Sequence, residues 1–194
     1  MTPEEELELE FKNYLKAIIG IDPDEVKRTL RKITTSPERP CRLLEFGAGG
    51  LWGEDVAVLI CAFRKMGLKR GKDYDYSCED GHHWFFTYNH NEKVRKALKL
   101  ADEYHDAMEI RYYAELIMPA VENVKEALKL APKIVQMRRE LARTHQCPLC
   151  GKQCIPIIRF TFNSKGCIIT GDLSCGHQIH KIIAFRREAE VEVP

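Results

Sequence analysis

The sequence predicts an α+β protein built from three successive parts. A helical and β-α-β-β portion takes residues 1–90, a helical hairpin or arm takes 91–145, and a three-stranded module takes 146–194. Three observations predict this. Apolar residues recur at helical spacing near the N-terminus and through the middle. Short runs of β-branched and aromatic residues, broken by turn formers, fill the stretches near 73–89 and 157–185. Last, Cys147-Pro-Leu-Cys150-Gly is answered far downstream by Cys175-Gly-His177-Gln-Ile-His180.

The first helix is expected over 3–19. Thr2 suits its cap, Pro3 its first turn, and Glu4, Glu5 and Glu6 the positive end of its dipole. Leu7, Phe11, Tyr14, Leu15, Ile18 and Ile19 supply one apolar face, and Gly20 ends it. A second helix is expected from Asp22-Pro23-Asp24 to about Thr34, closed by Ser36-Pro37-Glu38-Arg39-Pro40. Residues 41–46 then read as a buried strand, Gly47–Gly53 as a turn, and 54–66 as a helix stopped by Gly67. Asp73–Cys78 and His83–Asn89 read as a hairpin around Glu79-Asp80-Gly81. Residues 91–145 read as helix, interrupted at Pro119 and Pro132. Within them Val94–Ala101 is echoed by Val124–Ala131, 30 residues on, which suggests two helices with similar core faces.

Composition narrows the classes. The 194 residues are 44% hydrophobic and 30% charged, with a net charge of +1. That suffices for a core and announces no field for nucleic acid or membrane across the whole chain. No apolar run reaches the roughly 18 residues of a membrane helix. The acidic start, Met1-Thr-Pro-Glu-Glu-Glu, lacks the apolar stretch of a secretory signal. A cytoplasmic protein is therefore expected, with its eight cysteines as thiols or metal ligands rather than a disulfide framework. Charge is uneven, however. Residues 147–187 hold six bases and one acid, so the cysteine-rich end is the basic end.

In Cys147-Pro-Leu-Cys150-Gly, two intervening residues let a tight turn aim both thiolates at one ion. Strand, turn and strand follow over 157–170, and a third strand follows the second cysteine motif. Two knuckles on a three-stranded antiparallel sheet resemble the zinc ribbon family, over about residues 145–187. Zinc ribbons usually end Cys-x-x-Cys-Gly-His, and here Asp172 stands at the first of those cysteines. Cys147, Cys150 and Cys175 are therefore three ligands, and the fourth is open. His177 comes first, because Cys-x-His keeps both donors on one turn. His180 follows, then Asp172, Cys154 and Cys167. The soft donors suit Zn²⁺, and four protein ligands make a structural site.

Zinc ribbons are often contact modules for nucleic acid or protein in transcription, replication and translation. The resemblance implies such a contact here. Lys152, Arg159, Lys165, Lys181 and Arg186 of the basic end are the expected phosphate contacts, and Arg138, Arg139 and Arg143 extend them. The aromatics Tyr74, Tyr76, Trp84, Phe85, Phe86 and Tyr88 could stack on bases but read better as core.

Two further motifs point elsewhere. Leu43–Gly50 looks like the first motif of S-adenosylmethionine-dependent methyltransferases, but the further β-α units of that family do not follow. Asp73-Tyr-Asp75, with His82 and His83 downstream, faintly resembles the nucleotidyl-transfer sites of archaeo-eukaryotic primases, but without a third carboxylate on another strand. The reading is thus a nucleic-acid-associated or adaptor protein without catalysis of its own, its partner a nucleic acid or a protein of a nucleic-acid machinery. A homodimer through the helical region is compatible with it. The alternatives are an enzyme using nucleotides or S-adenosylmethionine at Gly47–Gly53 or Asp73/Asp75, and a module that contacts protein alone.

Overall fold

Thr2 and Glu5 open the chain as a reciprocal cap. The Glu5 amide donates to Thr2 Oγ1 at 3.2 Å, and the Thr2 amide donates to Glu5 Oε2 at 2.8 Å. Helix α1 (Pro3–Tyr14) follows, then a π-helical turn, Leu15–Ile19. The computed structural model describes residues 1–35, 47–51, 53–79, 82–163 and 165–185. The expected apolar face of α1 needs correction. Leu7, Phe11, Leu15 and Ile19 are buried, whereas Tyr14 and Ile18 are exposed. The widened turn keeps a four-residue step on one side, and that leaves Tyr14 and Ile18 outside it.

Helix α2 (Pro23–Thr35) is capped by Asp22, whose Oδ1 accepts from the Asp24 amide at 3.0 Å. It packs along α3 (Gly53–Lys65). The expected strand over 41–46 lies outside the described residues. The expected turn at Gly47–Gly53 is corrected, because Gly47–Leu51 is a strand, β1. Cross-strand pairing overrides the low strand propensity of glycine here. β2 (Tyr74–Glu79) and β3 (His82–Thr87) complete a three-stranded sheet of order β1-β3-β2. Both pairings are antiparallel, with Gly47 opposite Phe86 and Tyr74 opposite Thr87. Phe63 of α3 lies 5.1 Å from Tyr74 and 5.0 Å from Phe85, ring centre to ring centre. Tyr74, Tyr76, Phe85 and Phe86 are buried, so these four hairpin aromatics are core.

Helix α4 runs from Glu92 to Ile117, one 3₁₀ turn spans Met118–Ala120, and α5 runs from Val124 to Ala142. Pro119 breaks the helix as expected. Pro132 does not, and lies inside α5. Leu130, Ala131, Ile134 and Val135 around it are all buried, and that packing outweighs one lost backbone bond. The echoed positions play the same part twice: Val94, Ala97 and Ala101 are buried, and so are Val124, Ala127 and Ala131.

The residues group into two compact units, Leu9–Ala107 and Met1–Glu8 with Met108–Pro194. The second unit holds a sheet of order β4-β5-β6, formed by Pro156–Asn163, Gly166–Leu173 and Gln178–Ala184. Both pairings are antiparallel. Helix α5 lies against all three strands. Tyr113 meets Phe160 at 5.3 Å, and Leu141 lies where a side chain at Gly171 would touch it. Among the described residues, no helix is long and apolar enough to cross a membrane.

Candidate metal centre

Two loops at one end of the β4-β5-β6 sheet carry the four candidate donors. The first is the Cys147–Gly151 turn. Its Gly151 amide donates to Cys147 O at 2.8 Å, and the Cys147 amide donates to Lys152 O at 2.9 Å. Gly151 has φ +71°, which favours glycine directly after the second thiolate. The second loop joins β5 to β6. The Leu173 amide donates to His177 O at 2.8 Å, and the Gly176 amide donates to Leu173 O at 2.9 Å. Gly176, at φ +90°, lets Cys175 and His177 point the same way.

The ligand atoms of Cys147, Cys150, Cys175 and His177 lie within 4.8 Å of one another. His177 Nδ1 is 3.6 Å from both Cys147 Sγ and Cys175 Sγ. A tetrahedral ion with arms of about 2.3 Å to sulfur and about 2.0 Å to nitrogen holds such atoms about 3.6 Å apart. The four donors thus form a cluster able to hold a metal ion, with His177 engaged through Nδ1.

The other candidates for fourth ligand are occupied elsewhere. His180 Nδ1 pairs with Thr170 Oγ1 at 3.1 Å. Asp172 is held by Arg159 at 2.5 Å and accepts from the side-chain Nε2 of Gln178 at 2.8 Å. The Arg159 hydrogen bond holds its carboxyl below the usual carboxylate range. Cys167 is buried in β5, and burial pushes its thiol up to about 12. Cys154 is buried with Cys147 and Leu173, and burial also pushes its thiol up. Burial acts on Cys147 the same way. There, however, the Leu149 and Cys150 amides and the neighbouring thiols prevail and bring it down to about 7. A thiol so disposed yields a thiolate near neutral pH, the form a metal takes.

The expected basic contacts are divided. Arg138 and Arg139 both clamp Glu109, at 2.8 and 2.5 Å. Arg159 pairs with Asp172, and Lys181 with Glu140 at 3.2 Å. Arg143, Lys152 and Lys165 are exposed and have no ion-pair partner among the described residues. Arg186 lies outside them. Sequence reasoning missed Glu109, Glu140 and Asp172 as neutralising partners. Glu109 is 29 and 30 residues from its arginines, and no local pattern signals a pair so distant in sequence. Also missed were Leu149, Ile155 and Ile157, exposed large apolar residues close in sequence to the cysteine turn. A shallow pocket of about 400 Å³ opens next to His177, between Ile157, Arg159, Leu173 and Gln178.

The two alternative motifs fare differently. Gly47 and Ala48 pair with Phe86 and Phe85 of β3, and Gly49 and Gly50 lie at an irregularity of the ladder before Leu51 meets His83. Asp75 is held by Arg70 at 2.7 Å and the Tyr76 amide at 2.8 Å, with Tyr88 Oη at 3.3 Å. Burial raises its carboxyl, but these partners win and hold it below the ordinary range. Asp73 instead accepts from the Lys69 amide at 2.9 Å. Asp73 and Asp75 thus have separate hydrogen-bond partners. Comparison of the chain with protein-family models, with curated proteins and with solved structures finds no match.

Proposed function

We propose that the chain is a non-catalytic adaptor whose C-terminal module is a zinc ribbon. The observation that supports this is the closed donor set of Cys147, Cys150, Cys175 and His177 on the loops of a three-stranded sheet. Three thiolates and one imidazole suit Zn²⁺. Four protein ligands leave no position for a substrate, so the ion serves structure. When bound, zinc supplies the cross-link that ties the β5–β6 loop to the Cys147 turn. The Cys147 and Cys175 sulfurs orient His177 Nδ1, and the Cys154, Leu173 and Ile179 side chains shield one flank from water.

The surface around the centre favours a protein partner. Leu149, Ile155 and Ile157 are exposed, and four of the eight expected phosphate contacts are already bound to carboxylates within the chain. A second reading, contact with nucleic acid, draws support from Arg143, Lys152 and Lys165. Two measurements test the proposal. Metal analysis of the purified protein is expected to find one zinc per chain. A substoichiometric or absent zinc content sinks the ribbon. Anisotropy titration with single- and double-stranded oligonucleotides is expected to show no binding at moderate salt. Binding that weakens steeply with salt replaces the adaptor reading with the nucleic-acid one.

A further inference from the structure

β4 is an edge strand, with β5 as its neighbour among the described residues. The ladder to β5 runs unbroken through eight pairs, from Pro156 opposite Leu173 to Asn163 opposite Gly166. Its phase is set just before the strand, where the Ser174 amide donates to Ile155 O at 3.3 Å. Successive residues of an antiparallel strand turn their backbone groups to alternate sides. Odd-numbered residues therefore bond β5, while Ile158, Phe160 and Phe162 aim N–H and C=O out at the open edge. Natural edges are commonly blunted by lysines, central prolines or bulges. β4 has none of these: its one proline is its first residue, and its one cation, Arg159, is tied to Asp172.

We propose that β4 pairs antiparallel with β4 of a second copy of this chain, about a two-fold axis at Phe160. Ile158 then lies opposite the partner's Phe162, and Phe160 opposite the partner's Phe160. These are three pairs, each exchanging two backbone hydrogen bonds. Arg159 lies opposite the partner's Thr161. Phe160 and Phe162, stacked at 5.9 Å and half-buried in one chain, gain an aromatic and an aliphatic neighbour across the axis.

The register follows from the strand itself. An axis at Arg159 sets two guanidinium groups face to face and places Pro156, which lacks an N–H, opposite the partner's Phe162. An axis at Thr161 sends Ile158 past the end of the partner strand. Only the axis at Phe160 engages every outward amide without opposing like charges. The strand is complementary to itself, and that selects a second copy over an unrelated peptide. The inference does not depend on what the metal module contacts.

The test uses the full chain with its metal. Sedimentation velocity over a range of concentrations is expected to show a reversible monomer–dimer equilibrium. Residue-resolved hydrogen exchange is expected to show the Ile158, Phe160 and Phe162 amides becoming protected as concentration rises. The Ile157, Arg159 and Thr161 amides should be protected throughout. Thr161→Lys, at an exposed site, sets a cation against the partner's Arg159 twice by symmetry and should weaken dimerisation at least tenfold. Thr161→Glu should leave it as tight or tighter. A chain that stays monomeric overturns the proposal. So do exchange rates of the three amides that ignore concentration, or a dimer indifferent to Thr161→Lys.

Discussion

The described residues form two three-stranded antiparallel sheets, and the two are packed differently. The β1-β3-β2 sheet closes over aromatic rings: Phe63 is fully buried and flanked by Tyr74 and Phe85. The β4-β5-β6 sheet has α5 on one face, but the loops at its end bury only Cys147, Cys154 and Leu173 as a small separate cluster. So small a cluster cannot offset the entropy of ordering two loops. Four convergent donors can, once an ion joins them. On the zinc reading proposed above, an ion would secure the loops, while the helix lies against the sheet.

The sharpest way to break the symmetry between the two sheets is to remove one ligand. In small zinc modules, metal binding is worth on the order of 10 kcal/mol of folding free energy. Cys175→Ala is expected to abolish stoichiometric zinc and to speed exchange of the Cys147, Gly151 and Cys154 amides. The Phe63–Tyr74–Phe85 core should keep its protection. His177→Ala should resemble it, with metal affinity falling more than about 100-fold, since outer partners alone are worth 10–100-fold. His180→Ala and Asp172→Asn should keep full zinc, because His180 pairs with Thr170 and Asp172 with Arg159. Zinc loss on changing His180 in place of His177 would reassign the fourth ligand.

The converse experiment targets the aromatic sheet. Phe63 has no exposed surface, and truncating a buried phenylalanine costs about 3–5 kcal/mol. Phe63→Ala is expected to lower the unfolding free energy of residues 9–107 by that amount. Zinc stoichiometry and the Cys147 amide should not change. Zinc loss in this variant would show that the two sheets do not stand on separate chemistry.

What the sequence revealed differs between the sheets for a physical reason. Donors that are to share one ion must sit close together, and those of the candidate centre lie in two short motifs, Cys147–Cys150 and Cys175–His177, so their spacing is visible. The fourth donor stays open in the sequence because Asp172 and His180 share that stretch, and their partners, Arg159 and Thr170, lie on neighbouring strands. A strand made of Gly47–Leu51 carries no local signal, since cross-strand pairing decides it. Pro132 reads as a breaker until the burial of Leu130, Ile134 and Val135 is known. The clamp of Arg138 and Arg139 on Glu109 joins two helices and was equally invisible.

The smallest predicted effect sharpens the comparison through pH. Asp75, on the edge strand β2 of the aromatic sheet, is held below its ordinary range by Arg70, the Tyr76 amide and Tyr88, against the pull of burial. Its folded-state pKa is lower than its unfolded one. The stability it contributes is therefore complete above the unfolded value, about 4, and is lost as pH falls through the folded value. Hydrogen bonds to a charged group are worth about 1.5–3 kcal/mol, and partial exposure brings the expectation to the low end. Asp75→Asn should cost residues 9–107 about 1–2 kcal/mol at pH 7 and flatten their stability profile below pH 4. Loops held by a bound ion would instead lose order on acidification, because protons compete with a metal for its donors, whether or not Asp75 is present. Acid titration followed by residue-resolved exchange separates the two. If the variant's profile below pH 4 matches that of the wild type, Asp75 does not set the acid stability of its sheet.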